Sequence, residues 1–355
     1  MYERKLTDAP DKIIKNGKPQ FGSFITPPKF LDIKGVKEPF GVFPLPTFIT
    51  NLRIRSNICF VFSTDEYYGT IDLLDSKIYG FLEVNIWNKK TLQRYTYKNV
   101  MLLIRRLIPK NLIKGRCVTF SKRRKINFSW DKEKNRFSIL FDLKGDNVRP
   151  NLSGLFSTTE WSEKLSLTSV LPAPIMRRCY ASYQQPLLLK GEISVTRGKM
   201  LPFPFSISKE AQSLFVLTRA YYNTRTVNNL ITGIGTIGED QISFRIADMS
   251  ILPSDKNTYN DNVLFVNNEV TTLPPVTVTH PYGMSEKWII QDTENMIDLV
   301  FTPKSSSKRL VSLVLLHAQY FTVYGTFEGV LVTKNGKSIP LKDFPGIIKN
   351  QRLRL

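Results

Sequence analysis

Three pieces of this chain carry side chains able to act on a bound small molecule. Arg219, Tyr222 and Arg225, within TRAYYNTR at 218–225, combine guanidiniums with a phenol, a set that can orient a carboxylate, phosphate or hydroxyl in an apolar pocket. In an extended strand 219 and 225 share a face and 222 does not, so they act together only across a bulge or turn. Asp261 and Asn262 precede the apolar run VLFV; they can either pair with Arg219 to fix its guanidinium or cap a turn. Glu66 lies in DEYYG, where Tyr67 and Tyr68 add polar groups and Gly69 marks a turn or close backbone approach. Hydrating or isomerising a polyene needs a proton donor at the alkene and a carboxylate or dipole to steady positive charge, so Glu66, Tyr222 and Asp261 are the catalytic candidates. No spacing among them identifies a reaction.

Other chemistries find less support. Cys59, Cys117 and Cys179 are far apart, and His280 and His317 are the chain's histidines, so a histidine-rich zinc centre is excluded and neither metal nor cofactor is expected. His317 shares the parity of Val311, Leu313 and Leu315 and reads as a structural histidine, while His280 sits in the loop THPYG. GIGTIG at 233–238 lacks the strand-to-helix setting of a dinucleotide loop.

The formal net charge is +20. Much of it gathers between Arg105 and Arg136, where KRRK (Lys122, Arg123, Arg124, Lys125) is offset only by the acids Asp131 and Glu133. Such a knot attracts phosphate on nucleic acid or on an anionic membrane surface, or is simply a solvated hairpin. The start MYERKLTDAPDK has no apolar run behind its charges, and no later stretch is long enough to span a bilayer. A cytoplasmic location, or a nuclear one, is expected.

The elements that must position these residues are strands. Phe321, Val323, Gly325, Phe327, Gly329 and Leu331 share one parity while Thr322, Tyr324, Thr326 and Glu328 share the other, the two-residue period of a half-buried strand. Asn335-Gly336 then supplies a hairpin turn that lays Ser338 to Leu341 beside it. Leu82, Val84 and Ile86 alternate in the same way, as do Ile242, Phe244 and Ile246. The spacing predicts an all-β chain. An irregular strap over 1–50 leads into one strand series over 51–174 and a second over 175–355, divided at the proline-rich SLTSVLPAP. Many short antiparallel strands favour closed or strongly curved sheets that can enclose an apolar ligand.

Several phrases resemble the DUF2804 family, whose members lack an assigned function. The family's tail is similar to FTP at 301–303, GTFEG at 325–329, Gly336 and DFPG at 343–346, and DNVLFVNN at 261–268 resembles another of its phrases. Weaker likeness runs upstream through Tyr180-x-x-x-Gln184, TRAYYNTR and DEYYG. The family is distantly similar to lipocalin-like carotenoid hydratases and AttH proteins, which implies two successive lipocalin-like barrels. Its central phrase, resembling D-W-x-R-G, keeps Arg219 here but has Val216, Leu217 and Ala220 at the other positions. The resemblance thus implies shape more than catalysis. Non-enzymatic binding of a small apolar or amphipathic ligand is the leading expectation. A hydratase or isomerase acting on a polyene or lipid is the first alternative, and a basic adaptor for nucleic acid or anionic membrane the second.

Overall fold

The computed structural model describes residues 2–41, 45–77, 79–102, 107–119, 121, 123–158, 165–196, 203–206, 211–221, 225–313 and 316–354. Within them the chain is almost entirely antiparallel sheet, with one α-helix, α1 (Thr47–Leu52), and one 3-10 turn. The strap supplies short strands β1 (Leu6–Thr7), β2 (Ile14–Lys15), β3 (Lys18–Pro19) and β4 (Gly22–Phe24). It also sends Ile13, Phe24, Leu31, Ile33 and Val36 into the first core.

The first sheet opens with the meander β5 (Ile54–Ser63), β6 (Tyr67–Asp75), β7 (Tyr79–Asn88) and β8 (Arg94–Leu102). Its turns are specified locally. Thr64 Oγ1 accepts from the Tyr67 amide, Ser76 Oγ from the Tyr79 amide, and Asn88 Oδ1 from the amides of Lys90 and Thr91, each pinning the reversal. A second series, β9 (Lys114–Thr119), β10 (Arg124–Asp131), β11 (Arg136–Leu143) and β12 (Asn151–Thr158), is joined to the first by β14 (Cys179–Thr196) and β16 (Ala211–Tyr221), while β13 (Leu167–Pro172) and β15 (Phe203–Ser206) pair with β14. The order is β8-β7-β6-β5-β16-β14-β12-β11-β10-β9, with β1, β4, β13 and β15 attached off this path.

The second sheet holds β17 (Arg225–Ile237), β18 (Asp240–Met249), β19 (Val263–Val266), β20 (Glu269–Thr272), β21 (Thr277–Thr279), β22 (Trp288–Gln291), β23 (Ile297–Leu313), β24 (Leu316–Val332) and β25 (Ser338–Arg354). Its order is β20-β19-β18-β17-β25-β24-β23-β22-β21. The Asn335-Gly336 hairpin forms as expected: the Gly336 amide donates to Thr333 O at 2.9 Å, and Val332 pairs with Ser338. At Gly329 φ is +125° beside a β-bulge, and a Cβ there would lie 2.0 Å from Asp298 O, so no other residue fits without strain.

Each sheet curls into a half-barrel, the lipocalin-like architecture expected. By hydrogen bonding, β14 and β16 belong to the first sheet, and the sheet changes between Tyr221 and Arg225. Pro172 and Pro174 lie at the turn between β13 and β14.

Both interiors are filled by rings in mutual contact. In the first, Phe60 lies 6.0 Å from Phe137, and Phe62 lies 5.1 Å from Phe156. In the second, Phe244 and Phe301 flank Phe327 at 5.1 and 4.8 Å. The half-barrels then pack through their outer faces. Val61, Tyr68, Trp87, Leu214 and Val216 meet Ile234, Val263, Phe265, Tyr324 and Ile347 in a separate buried cluster. Strand β16 is buried on both sides because Phe215 and Leu217 face the first core while Leu214 and Val216 face the second sheet, which explains the continuous apolar run LFVL at its centre.

Candidate functional site

On one flank of this junction the outer faces turn polar and part. On the first sheet Cys59, Asp72 and Glu83 stand directly opposite one another across β5, β6 and β7. On the second, Arg309, Tyr320 and Gln351 form a facing row across β23, β24 and β25, with Lys349 opposite Thr322 beside it. Strand alternation puts all of them on the outer side, since Ile71, Leu73, Leu82 and Val84 fill one core and Phe321, Val323 and Ile348 the other.

Two neighbouring carboxylates on one face repel, and each takes a cation from the opposite sheet. Lys349 Nζ lies 2.7 and 2.6 Å from Asp72 Oδ1 and Oδ2 and 3.4 Å from Cys59 Sγ. Burial opposes the Lys349 charge, but Asp72 and Cys59 outweigh it and hold the ammonium above its ordinary value. Burial, then Asp72, push the Cys59 thiol up to about 12. Arg309 donates to Glu83 Oε2 while its guanidinium lies 4.3 Å from the Phe81 ring and 4.0 Å from the Tyr320 ring. Asn85 Nδ2 donates to Glu83 Oε1 at 3.0 Å. Asp72, Glu83, Phe81, Arg309, Tyr320 and Lys349, with Arg55, Asn57, Leu74 and Thr322, line a solvent-open cleft. It offers carboxylates to take a proton or orient water, cations to hold negative charge, and Leu74 and Phe81 to seat apolar carbon.

The residues expected from sequence are dispersed. Asp261 is sealed between the sheets: Oδ2 accepts from Arg245 at 2.6 Å and from the Tyr180 hydroxyl at 2.9 Å, and its carbonyl accepts from Gln184 Nε2 at 2.7 Å. Asp261 outweighs the burial that disfavours the Arg245 charge and holds that guanidinium above its ordinary value. Arg4 of the strap donates to the carbonyls of Asn260 and Asn262. The Asn262 side chain is spent on the Ala247 amide and the Pro274 carbonyl, both at 2.8 Å. Here the separate phrases Tyr180-x-x-x-Gln184 and Asp261-Asn262 come together, around a buried ion pair.

The expected pairing of Asp261 with Arg219 does not form. Arg219 shares the parity of Leu217 and Tyr221, which face the first core, whereas Tyr180 and Ala220 face the second sheet. Its guanidinium bonds Ser56 Oγ at 2.6 Å and the carbonyls of Ile108 and Pro109 at 3.0 and 2.8 Å, a clamp between strand and loop. Arg225 is exposed at the start of β17, opposite Arg354. Tyr222 lies outside the described residues. Glu66 occupies the β5–β6 turn beyond Ser63, which pairs with Gln212, whereas Tyr180, the partner of Asp261, pairs with Ala220. Eight strand positions, about 26 Å, separate those ends, so Glu66 and Asp261 share no cavity.

In the basic knot Lys122 also lies outside the described residues. Arg123 and Lys125 are exposed, but alternation turns Arg124 inward with Ile126 and Phe128. It donates to the carbonyls of Arg123 and Lys144 and lies 5.3 Å from the Tyr97 ring. The His280 ring lies against that of Trp288, centroids 4.6 Å apart and planes tilted by 51°, and the side chain of His317 is outside the described set. Among the described residues no group of three His, Cys, Asp or Glu side chains could hold a metal, and no helix is long and apolar enough to cross a membrane.

Sequence reasoning missed Asp72, Glu83, Arg309 and Lys349. Each is a charge at an alternate strand position, which in one sequence reads as a solvated face.

No curated protein matches the chain. Solved structures with a similar chain path include CghA with Sch210972, at 7% identity and TM-score 0.47, covering 84% of this chain and 88% of that one. Kievitone hydratase from Nectria haematococca aligns at 11% identity and TM-score 0.47 over 84% and 88% of the two chains. A further CghA structure aligns at 9% identity and TM-score 0.47 over 93% and 97%. The family described as "Domain of unknown function (DUF2804)" matches residues 15–355, carrying the tail phrases from FTP to DFPG, and the chain belongs to that family.

Proposed function

We propose that the cleft between the half-barrels binds a small amphipathic molecule and carries out proton chemistry on it of the hydratase or isomerase kind. What carries this reading is the pair of opposed carboxylates, Asp72 and Glu83, each set against a cation of the other sheet around open space. Ligand binding within the barrels is not favoured, because their interiors are occupied by the protein's own aromatic rings. In the proposed reaction Asp72 takes a proton from water or from the ligand and returns it to a ligand carbon, while Lys349 and Arg309 hold negative charge developing on a ligand oxygen. Phe81 and Leu74 seat the apolar part. One observation favours binding without turnover: both carboxylates are already ion-paired, so a reaction needs the ligand to displace or share a partner.

Incubation of the protein with a cellular extract of hydrophobic small molecules, in heavy-oxygen water and separately in deuterium oxide, tests the reading by mass spectrometry. Hydration transfers heavy oxygen to a product, and isomerisation transfers deuterium. Asp72→Asn should lower labelling by about a hundredfold or more. A molecule that co-purifies with both proteins while neither produces label would leave binding alone.

A further inference from the structure

A second feature lies at the end of the first half-barrel where β5 and β14 begin. Helix α1 leads through Arg53 into β5, and the turn after Pro174 leads through Arg178 into β14. Both strands pair with β16 and run in the same direction, Ile54 opposite Tyr221 and Tyr180 opposite Ala220. Two strand spacings, about 10 Å, therefore separate the starts of β5 and β14.

The side chains they present are apolar and exposed. Phe48 is 67% exposed, Leu52 48%, Met176 58% and Ile175 43%, with Leu45 and Ile49 beside them. In α1 the buried residue is Thr50, the reverse of what a helix docked on its own core requires. Arginines frame the apolar group. The guanidiniums of Arg53 and Arg178 approach one Phe40 ring at 4.3 and 5.4 Å, which ties helix and turn into one surface. Burial, and after it the Arg53 charge, hold Arg178 below its ordinary value. Arg177 is exposed and pairs with Glu38 at 3.0 Å.

We propose that this end of the molecule docks on an anionic lipid bilayer, with Phe48, Leu52, Ile175 and Met176 entering the headgroup region and Arg53, Arg177 and Arg178 meeting lipid phosphates. Apolar residues ringed by arginine suit that interface, where insertion and electrostatic attraction act together. The net charge of +20 favours a negatively charged partner. This inference stands independently of the chemistry proposed for the cleft.

Sedimentation of the full-length protein with phosphatidylcholine vesicles, with and without phosphatidylserine, tests it. The protein should pellet with the anionic vesicles at low salt, less so as salt rises. Phe48→Ser combined with Met176→Ser should weaken binding about tenfold, and Arg177→Glu about fivefold or more, with thermal melting unchanged. Phe48→Trp, quenched by brominated lipid, reports insertion without removing the apolar group. Four results would overturn the proposal: no association with anionic vesicles; variants that bind as the parent does; no quenching of the Trp variant; or loss of binding only when Arg123 and Lys125 are neutralised. A concentration-dependent dimer abolished by Phe48→Ser, without vesicle binding, would assign the surface to self-association instead.

Discussion

Lys349, near the end of the last strand, places its ammonium within 2.7 Å of both carboxylate oxygens of Asp72 on the opposite half-barrel. The Lys349 side chain is 7% exposed and that of Asp72 25%. The pair is therefore a tie between the sheets as well as part of the cleft.

Removing one partner should hurt more than removing both. Asp72→Asn leaves a buried, uncompensated ammonium and should destabilise the fold by about 3 kcal/mol, with Asp72→Asn/Lys349→Met recovering a good part of that loss. Urea denaturation of the single and double variants measures the coupling. Additive losses would mean that the pair contributes nothing as a pair.

Stability should fall on the alkaline side. Burial first, then Asp72, push the Cys59 thiol from its ordinary 9.0 up to about 12, and burial pushes the Tyr324 phenol from 10.0 to about 12. Both groups are neutral when protonated, and the folded chain holds protons that the unfolded chain releases. Their contribution is full below about pH 9 and is lost as pH rises toward 12. Lys349, raised from 10.5, acts in the same direction above that value. In denaturation at stepped alkaline pH, Cys59→Ala should flatten the part of the decline that begins near pH 9, and an unchanged slope would count against a buried neutral thiol.

Arg219 should matter to the fold and not to the cleft. Arg219→Lys gives up the fork that joins Ser56 with the carbonyls of Ile108 and Pro109, a loss of about 2 kcal/mol. Ligand capture in the cleft should stay as in the parent. A variant of normal stability that fails to capture ligand would return Arg219 to a binding role.

Within the basic knot the effects should split by strand parity. Arg124→Ala should cost about 1 to 2 kcal/mol in urea denaturation, since it removes bonds to backbone carbonyls and packing on Tyr97. Arg123→Ala and Lys125→Ala, on the solvent side, should change stability by less than about 0.5 kcal/mol. Equal effects at all three would contradict the inward turn of Arg124.

Strand parity also marks how far the sequence could be read. The alternation from Phe321 to Leu331 and the Asn335-Gly336 turn are local, and both appear as expected. Which sheet a strand joins is not local. Pro172 and Pro174 break a run equally well at a hairpin within one sheet and at a passage between sheets, and β16 is buried at every position because it is covered on both faces. The cleft was illegible for a related reason. Asp72 and Lys349 are separated by 277 positions, and each alone has the spacing of a solvent-facing charge; only the packing of two outer faces gives them a common purpose. Asp261 was visible as an unusual acid before an apolar run, but its burial with Arg245 and Tyr180 depends on the same packing.

The grip of Arg4 on the carbonyls of Asn260 and Asn262 has a consequence for synthesis on the ribosome. Arg4 and Asn260 are separated by 256 positions, and at ribosomal rates of translation about 10 to 50 s pass between their appearance. During that interval the N-terminal segment has emerged while its final anchor does not exist. The segment around Arg4 is thus made long before it is secured, and a nascent-chain series halted before and after residue 262 would see its protection from protease arise only in the longer products.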